Sequence, residues 1–205
     1  METNYPWDGK VTLTCSPARK TRYGLHIRIP GWSQNTAVPG NLYSFLASQQ
    51  SNIQVRLNGK PVNYATEKGY LVIDREWNKG DVIEFTMPME VKRVVSRPEI
   101  KFNKDRVAIQ RGPIVYCIEG ADNNGKAWNL LIPDSSTFSA STQNVISEQV
   151  IALKADVPVL EVSTDGMNVS VTNRPVTAIP YYVWCNRGSN QMQVWLPRKI
   201  SEIKL

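Results

Sequence analysis

Polar and apolar positions alternate along most of this chain, while apolar residues at helical spacing are almost absent. Val11-Thr12-Leu13-Thr14-Cys15 reads as a half-buried strand. From Tyr23 to Ile29 the alternation predicts Tyr23, Leu25, Ile27 and Ile29 on one face, with His26 and Arg28 on the other. Pro30-Gly31 then ends the strand, because proline has no N–H for a ladder and glycine permits the turn. Ile53, Val55 and Leu57 form the next inward set, and Asn58-Gly59 behind them is a strong hairpin signal. Val62 and Tyr64, then Tyr70 to Ile73, continue the meander, and Lys79-Gly80-Asp81 turns the chain into an extended run interrupted at Pro88. The one candidate helix is Asn41 to Gln50, where a short link would otherwise be expected.

A second unit is predicted to begin near Ser96-Arg97-Pro98-Glu99. Its expected strands are Arg106 to Gln110, Ile114 to Glu119, Val145 to Leu153, Val159 to Val162, Met167 to Thr172, Ile179 to Cys185 and Gln191 to Leu196. Between them, Ala121 to Thr142 reads as an edge crossing in which Trp128, Leu130 and Ile132 close over the core. Polar turns about every ten residues are the rhythm of a sandwich. The predicted fold is all-β, two consecutive antiparallel β-sandwich (jelly-roll-like) domains: residues 1–96, with an inserted loop or short helix at 35–52, and residues 97–205.

With 205 residues, each domain can bury a core without disulfides. Cys15, Cys117 and Cys185 are widely separated and form no CxxC or adjacent pair, so they read as free or core thiols, with a single bridge between two of them as the alternative. A net charge of +6 invites a nucleic-acid reading, but residues 1–99 hold 13 basic against 9 acidic side chains and residues 100–205 hold 11 against 9. An excess spread so thinly lacks the coherent stripe that tracking a phosphate backbone needs, so no nucleic-acid partner is expected. No run of 18 apolar residues occurs, so no membrane partner is expected either. The N-terminal residues show no signal-peptide pattern.

Two carboxylates across a cleft are one arrangement that carries acid/base hydrolysis. Asp74 and Glu76 lie two apart and share a strand face, yet they approach a turn where charged residues normally meet water. Glu119 closes the apolar run IVYCI alone. Asp8, between Trp7 and Gly9, suits turn hydrogen bonding. His26 is the only histidine and offers neither a triad nor a metal cluster. These residues predict neither a catalytic nor a metal site in the chain.

Six tryptophans and eight tyrosines raise another possibility, since an aromatic face packs against the apolar face of a sugar ring. Trp7, Trp32, Trp77, Tyr182 and Trp184 are the candidates for carbohydrate contact or interdomain packing. In IPYYVWC, strand alternation sets Tyr182 and Trp184 on the face opposite Tyr181, Val183 and Cys185.

The segments YPWDG, LHIRIPGW, VRLNGKPV, GYLVIDREWNKGD, VAIQRGPIVYCIEG and AIPYYVWCNRGSNQMQVWLP occur in order across nearly the whole chain. Together they resemble the C-terminal part of the bacterial β-L-arabinofuranosidase family, glycoside hydrolase family 127 and its relatives. The resemblance implies an enzyme with a large α/α barrel followed by two β-sandwiches, this chain being the sandwiches without the barrel. It places the glutamate acid/base, the cysteine nucleophile and a zinc site of glutamate and cysteines in that barrel, upstream of YPWDG. The adjacent cysteine pair of that site has no counterpart here, so no catalytic or zinc residue is carried over, and no cofactor is expected in this chain. The implied function is accessory: packing against and stabilising a catalytic barrel in cis, with a carbohydrate-binding module as the alternative. Expected partners are that barrel, an arabinose-containing glycan, and a second copy where a normally covered apolar surface is left open. A bacterial source is implied, with a periplasmic or extracellular location where the parent carries a signal peptide.

Overall fold

The alternating pattern folds as antiparallel sheet in the residues that the structure, a computed structural model, describes: 1–47 and 53–203. These divide into two units, Met1–Gly40 with Ala47–Glu90, and Asn41–Leu46 with Val91–Leu205. In chain order the strands begin with β1 (Glu2–Thr3), β2 (Lys10–Thr14), β3 (Thr21–Arg28), β4 (Tyr43–Phe45), β5 (Gln54–Leu57) and β6 (Lys60–Pro61). They continue with β7 (Ala65–Glu67), β8 (Tyr70–Trp77), β9 (Val82–Thr86), β10 (Val91–Ser96), β11 (Arg106–Arg111) and β12 (Ile114–Glu119). The last are β13 (Ser139–Val145), β14 (Glu148–Val162), β15 (Val169–Pro180), β16 (Met192–Gln193) and β17 (Leu196–Pro197). Only short 3-10 turns interrupt them among the described residues.

The first unit is a sandwich of the sheets β1-β2-β9-β5-β6 and β3-β8-β7. Its core takes Val11, Val55, Ile83 and Phe85 from one sheet and Ile27, Leu71, Ile73 and Trp77 from the other, the inward sets that period-two alternation selects. Asn58 and Gly59 carry positive φ angles of 50° and 77°, the backbone that a two-residue hairpin turn demands between β5 and β6. Asn58 also ties that turn to the next one. Its Nδ2 donates to Asp81 Oδ1 at 2.9 Å, and its Oδ1 accepts from Val82 N at 2.8 Å. In YPWDG, Asp8 Oδ1 accepts from Lys10 N at 2.9 Å, and Gly9 lies so close to Met87 that an added Cβ would stand 1.8 Å from the Met87 carbonyl oxygen. Only glycine fits there.

The second unit contains the path β13-β14-β15-β12-β11-β10-β4, with β16 on β12 and β17 on β11. Tyr116, Ile118, Leu130, Ile132, Leu153, Val157, Ile179 and Leu196 form its core. Tyr116 donates its hydroxyl to the Ile151 carbonyl at 2.9 Å, and burial pushes its pKa up to about 12. The Cys117 thiol beside it is likewise driven up to about 12 by burial. All three cysteines are free, with Cys185 exposed.

Several sequence expectations shift here. The extended run after Pro88 forms β10, which pairs with β11 and β4, so Val91–Ser96 belongs to the second unit rather than to a first domain ending at residue 96. Asn41 to Ala47 holds no helix; Tyr43–Phe45 is a strand on β10, and the remainder of the candidate helix, 48–50, lies outside the described residues. The strand expected at Val145 to Leu153 is instead the end of β13 and the first part of β14, joined at Ile146-Ser147 with Ile146 at φ 57°. β14 and β15 run on through Pro158 and Pro175, across the gaps between the strands expected at Val145 to Leu153 and Val159 to Val162 and at Met167 to Thr172 and Ile179 to Cys185. Pro158 is tolerated because its carbonyl accepts from Leu131 N at 2.9 Å on the side away from β15; the missing N–H therefore faces no ladder partner on β15. Finally, the strand expected to Cys185 stops at Pro180, and Tyr181–Val183 coils into a 3-10 turn, which removes the two-faced alternation assigned to IPYYVWC.

Candidate functional site

Asp74 and Glu76 do share one face of β8, but each is already neutralised. Arg22 donates to Asp74 through Nε at 3.2 Å and Nη2 at 3.1 Å, and Lys20 lies 2.9 Å from Glu76. The Arg22 hydrogen bond lowers the Asp74 pKa and the Lys20 hydrogen bond lowers that of Glu76. A general acid in glycoside hydrolysis needs the opposite shift. His26 stands exposed on β3, edge-on to Tyr70 at 6.3 Å between ring centroids.

Glu119 belongs to the second unit and is 0% exposed. Arg187 donates to it and, at 2.8 Å, to Asp122 Oδ1; Asn190 Nδ2 donates to Glu119 Oε1 at 2.9 Å. Desolvation pulls the Glu119 pKa upward, yet the Asn190 and Arg187 hydrogen bonds outweigh it and leave the group below its ordinary value. The Asp122 hydrogen bond, assisted by Glu119, raises the pKa of Arg187. Asn123 extends the knot: its Nδ2 donates to the carbonyls of Glu119 at 2.8 Å and Thr177 at 2.9 Å, while its Oδ1 accepts from Thr177 N. This cluster pins the turn after β12 to β15. It is sealed, with one guanidinium shared between two carboxylates, which suits structure rather than proton transfer.

The five aromatic candidates divide between the units. Trp77 is 0% exposed, donates Nε1 to the Tyr23 carbonyl at 2.9 Å and stacks on the Tyr23 ring at 5.7 Å, so it is a core residue with no face open to a sugar. Trp32 is buried in the 3-10 turn Gly31–Gln34, and Trp7 is half-buried. Trp184 is half-buried against Tyr181, with centroids 6.2 Å apart. Tyr182 is exposed and donates its hydroxyl to Glu148 at 2.7 Å.

A groove of about 620 Å³ in the second unit gathers a different set, led by Phe102, Arg106, Trp128, Gln193, Trp195 and Glu202. That volume falls within the roughly 300–1,000 Å³ typical of small-molecule sites. Trp128, expected to close over the core with Leu130 and Ile132, is 44% exposed while those two are buried, because its Nε1 donates to the Met192 carbonyl at 3.1 Å and holds the ring at the surface. Trp195 stacks on Tyr43 with centroids 5.5 Å apart. Arg106 fixes the floor, donating to the carbonyls of Trp195 at 3.1 Å and Glu202 at 2.7 Å, with the Glu202 carboxylate 3.7 Å away. Phe102, in the 3-10 turn Lys101–Asn103, is 94% exposed. No local motif marks these residues; only the pairing of β11 with β17 and of β12 with β16 brings them together.

Residues 1–89 match the GH127 middle domain of β-L-arabinofuranosidase, and residues 91–197 match the glycoside hydrolase family 127 C-terminal domain. The chain belongs to glycoside hydrolase family 127. A non-reducing end β-L-arabinofuranosidase of Bifidobacterium longum subsp. longum is 31% identical over 97% of this family 127 chain, which spans 30% of that relative. A solved structure of a GH127 β-arabinofuranosidase superposes with a TM-score of 0.92 at 34% identity, covering 99% of this chain and 32% of the other. The crystal structure of a GH127 β-L-arabinofuranosidase from Geobacillus stearothermophilus T6 gives 0.82 at 35% identity, covering 97% of this chain and 30% of the other. The chain thus spans about a third of the length of the relatives it matches.

The zinc that the family resemblance implies does not fit this region. Among the described residues no group of three or more His, Cys, Asp and Glu side chains could hold a metal ion, and the three cysteines are free. Among the same residues, no helix is long and apolar enough to cross a membrane.

Proposed function

We propose that this chain is the accessory β-sandwich region of a β-L-arabinofuranosidase-type glycoside hydrolase, packing against and stabilising the catalytic domain of its parent and performing no hydrolysis itself. The observation that carries this reading is the match of the chain to the middle and C-terminal domains of relatives about three times its length. Its carboxylates support the same reading, since Asp74 and Glu76 are solvated ion-pair members and Glu119 is sealed by Arg187. The purified chain is expected to leave p-nitrophenyl β-L-arabinofuranoside intact; turnover above a protein-free control would overturn the proposal. The stabilising role predicts that the catalytic portion of the Bifidobacterium relative melts at a higher temperature when this chain is supplied in trans.

A second reading, a carbohydrate-binding region acting on arabinose-containing glycans, is favoured by one observation. Exposed Phe102 and Trp128 border the same groove, with hydrogen-bonding groups between them.

A further inference from the structure

Within that second reading, on which this inference rests, we infer that the Phe102–Trp128–Trp195 groove is the binding site, and that its ligand is a neutral oligosaccharide. Solvent exposure of one large aromatic is unremarkable, but two on the margin of a single concavity leave apolar surface uncovered where a partner would cover it. Phe102 and Trp128 supply that surface at 94% and 44% exposure.

The Trp128 and Trp195 side of the groove is held in place. The Trp128 indole is held by Met192, the Trp195 ring by Tyr43, and the intervening backbone by Arg106 and by Gln193, whose Nε2 donates to the Trp195 carbonyl at 2.7 Å. A platform ordered before the ligand arrives costs little further conformational entropy on binding.

Its polar groups decide the class of ligand. Arg106 is already committed to Glu202, which leaves Lys101 as the groove cation with no ion pair among the described residues. One such cation is too little for a polyanion, whose binding scales with the number of charges neutralised. Gln193 at the groove wall is itself committed: its Nε2 donates to the Trp195 carbonyl, and its Oε1 is closed to solvent and so to a ligand. Aromatic faces, a lone ammonium donor and a carboxylate edge match a ligand with C–H faces and many hydroxyls but no charge. That is the description of a neutral sugar chain.

Titration of the full chain with linear L-arabinofuranose trisaccharide, and separately with cellotriose, tests the assignment by tryptophan fluorescence and calorimetry. Wild type is expected to saturate with at least one sugar, and Phe102→Ala and Trp128→Ala to bind about three- to tenfold more weakly. Phe102→Ala guards against a folding artefact, because that side chain is almost wholly solvated. Trp184→Ala is expected to bind as wild type does. Saturable binding that both groove variants leave unchanged overturns the groove while preserving the carbohydrate reading. No saturation by wild type up to about 20 mM, in the range of weak millimolar complexes, overturns both. A concentration-dependent dimer dissolved by Phe102→Ala overturns the ligand class in favour of a protein contact.

Discussion

Trp77 and Trp128 show how differently the two units use the same side chain. In the first unit the indole N–H reaches inward to the Tyr23 carbonyl and the ring disappears into the core. In the second, the N–H reaches sideways to Met192, and the ring stays in the open. Carboxylates follow the reverse order: Asp74 and Glu76 lie on the outside of the first unit, whereas Glu119 is sealed inside the second. Residue type therefore did not decide role here. What decided it was whether the hydrogen-bonding end of each side chain found its partner toward the interior or along the surface.

The sharpest way to break this contrast is Trp77→Ala, which should cost about 3–5 kcal/mol of stability, read from urea denaturation, by opening a cavity in a packed core. A loss as small as that of a surface change would mean that Trp77 is not central to the first unit. Glu119→Gln comes next, at about 1–3 kcal/mol, because it weakens the charge-assisted hydrogen bonds that this buried carboxylate accepts from Arg187 and Asn190, while Arg187 keeps Asp122.

The same residue predicts an acid-side signature. Since the folded-state pKa of Glu119 is lowered, its contribution is complete above about pH 4.3, where an unfolded glutamate is ionised, and is lost as pH falls through the lower folded value. Denaturation midpoints measured between pH 3 and 6 should fall toward acid more steeply in wild type than in Glu119→Gln. Equal slopes would show that the cluster does not hold Glu119 ionised. Smallest of all, Asp74→Asn should leave the thermal midpoint unresolved from wild type, because the Arg22 pair is open to water on both sides.

How far the sequence could be read follows from where each structure keeps its instructions. Local ones were legible: Asn58-Gly59 announced the β5–β6 turn, Pro30-Gly31 ended β3 within a residue or two, and Asp8 took its turn hydrogen bond. The β13–β14 hairpin was not, because its turn is Ile146-Ser147, and a β-branched residue at positive φ carries no turn signal. The continuity of β14 and β15 across the gaps expected around Pro158 and Pro175 was not legible either, since whether a proline breaks a strand depends on which way its nitrogen faces. Trp128 was expected inside with Leu130 and Ile132; only the distant Met192 carbonyl explains its place. The groove was invisible for the same reason, as Phe102, Trp128 and Trp195 come from three separated segments.

The pairing of β11 with β17 sets Val107 opposite Leu196 and Arg106 opposite Pro197. Such a contact closes a loop of nearly ninety residues and must wait until that loop's entropy has been offset by strands already in place. During synthesis, then, the hairpins β11–β12 and β14–β15 can assemble while the segment bearing Trp195 is still being made. The groove is a late-forming feature, and pulse-labelled hydrogen exchange during refolding should protect the Val107 and Leu196 amides after those of the β14–β15 ladder.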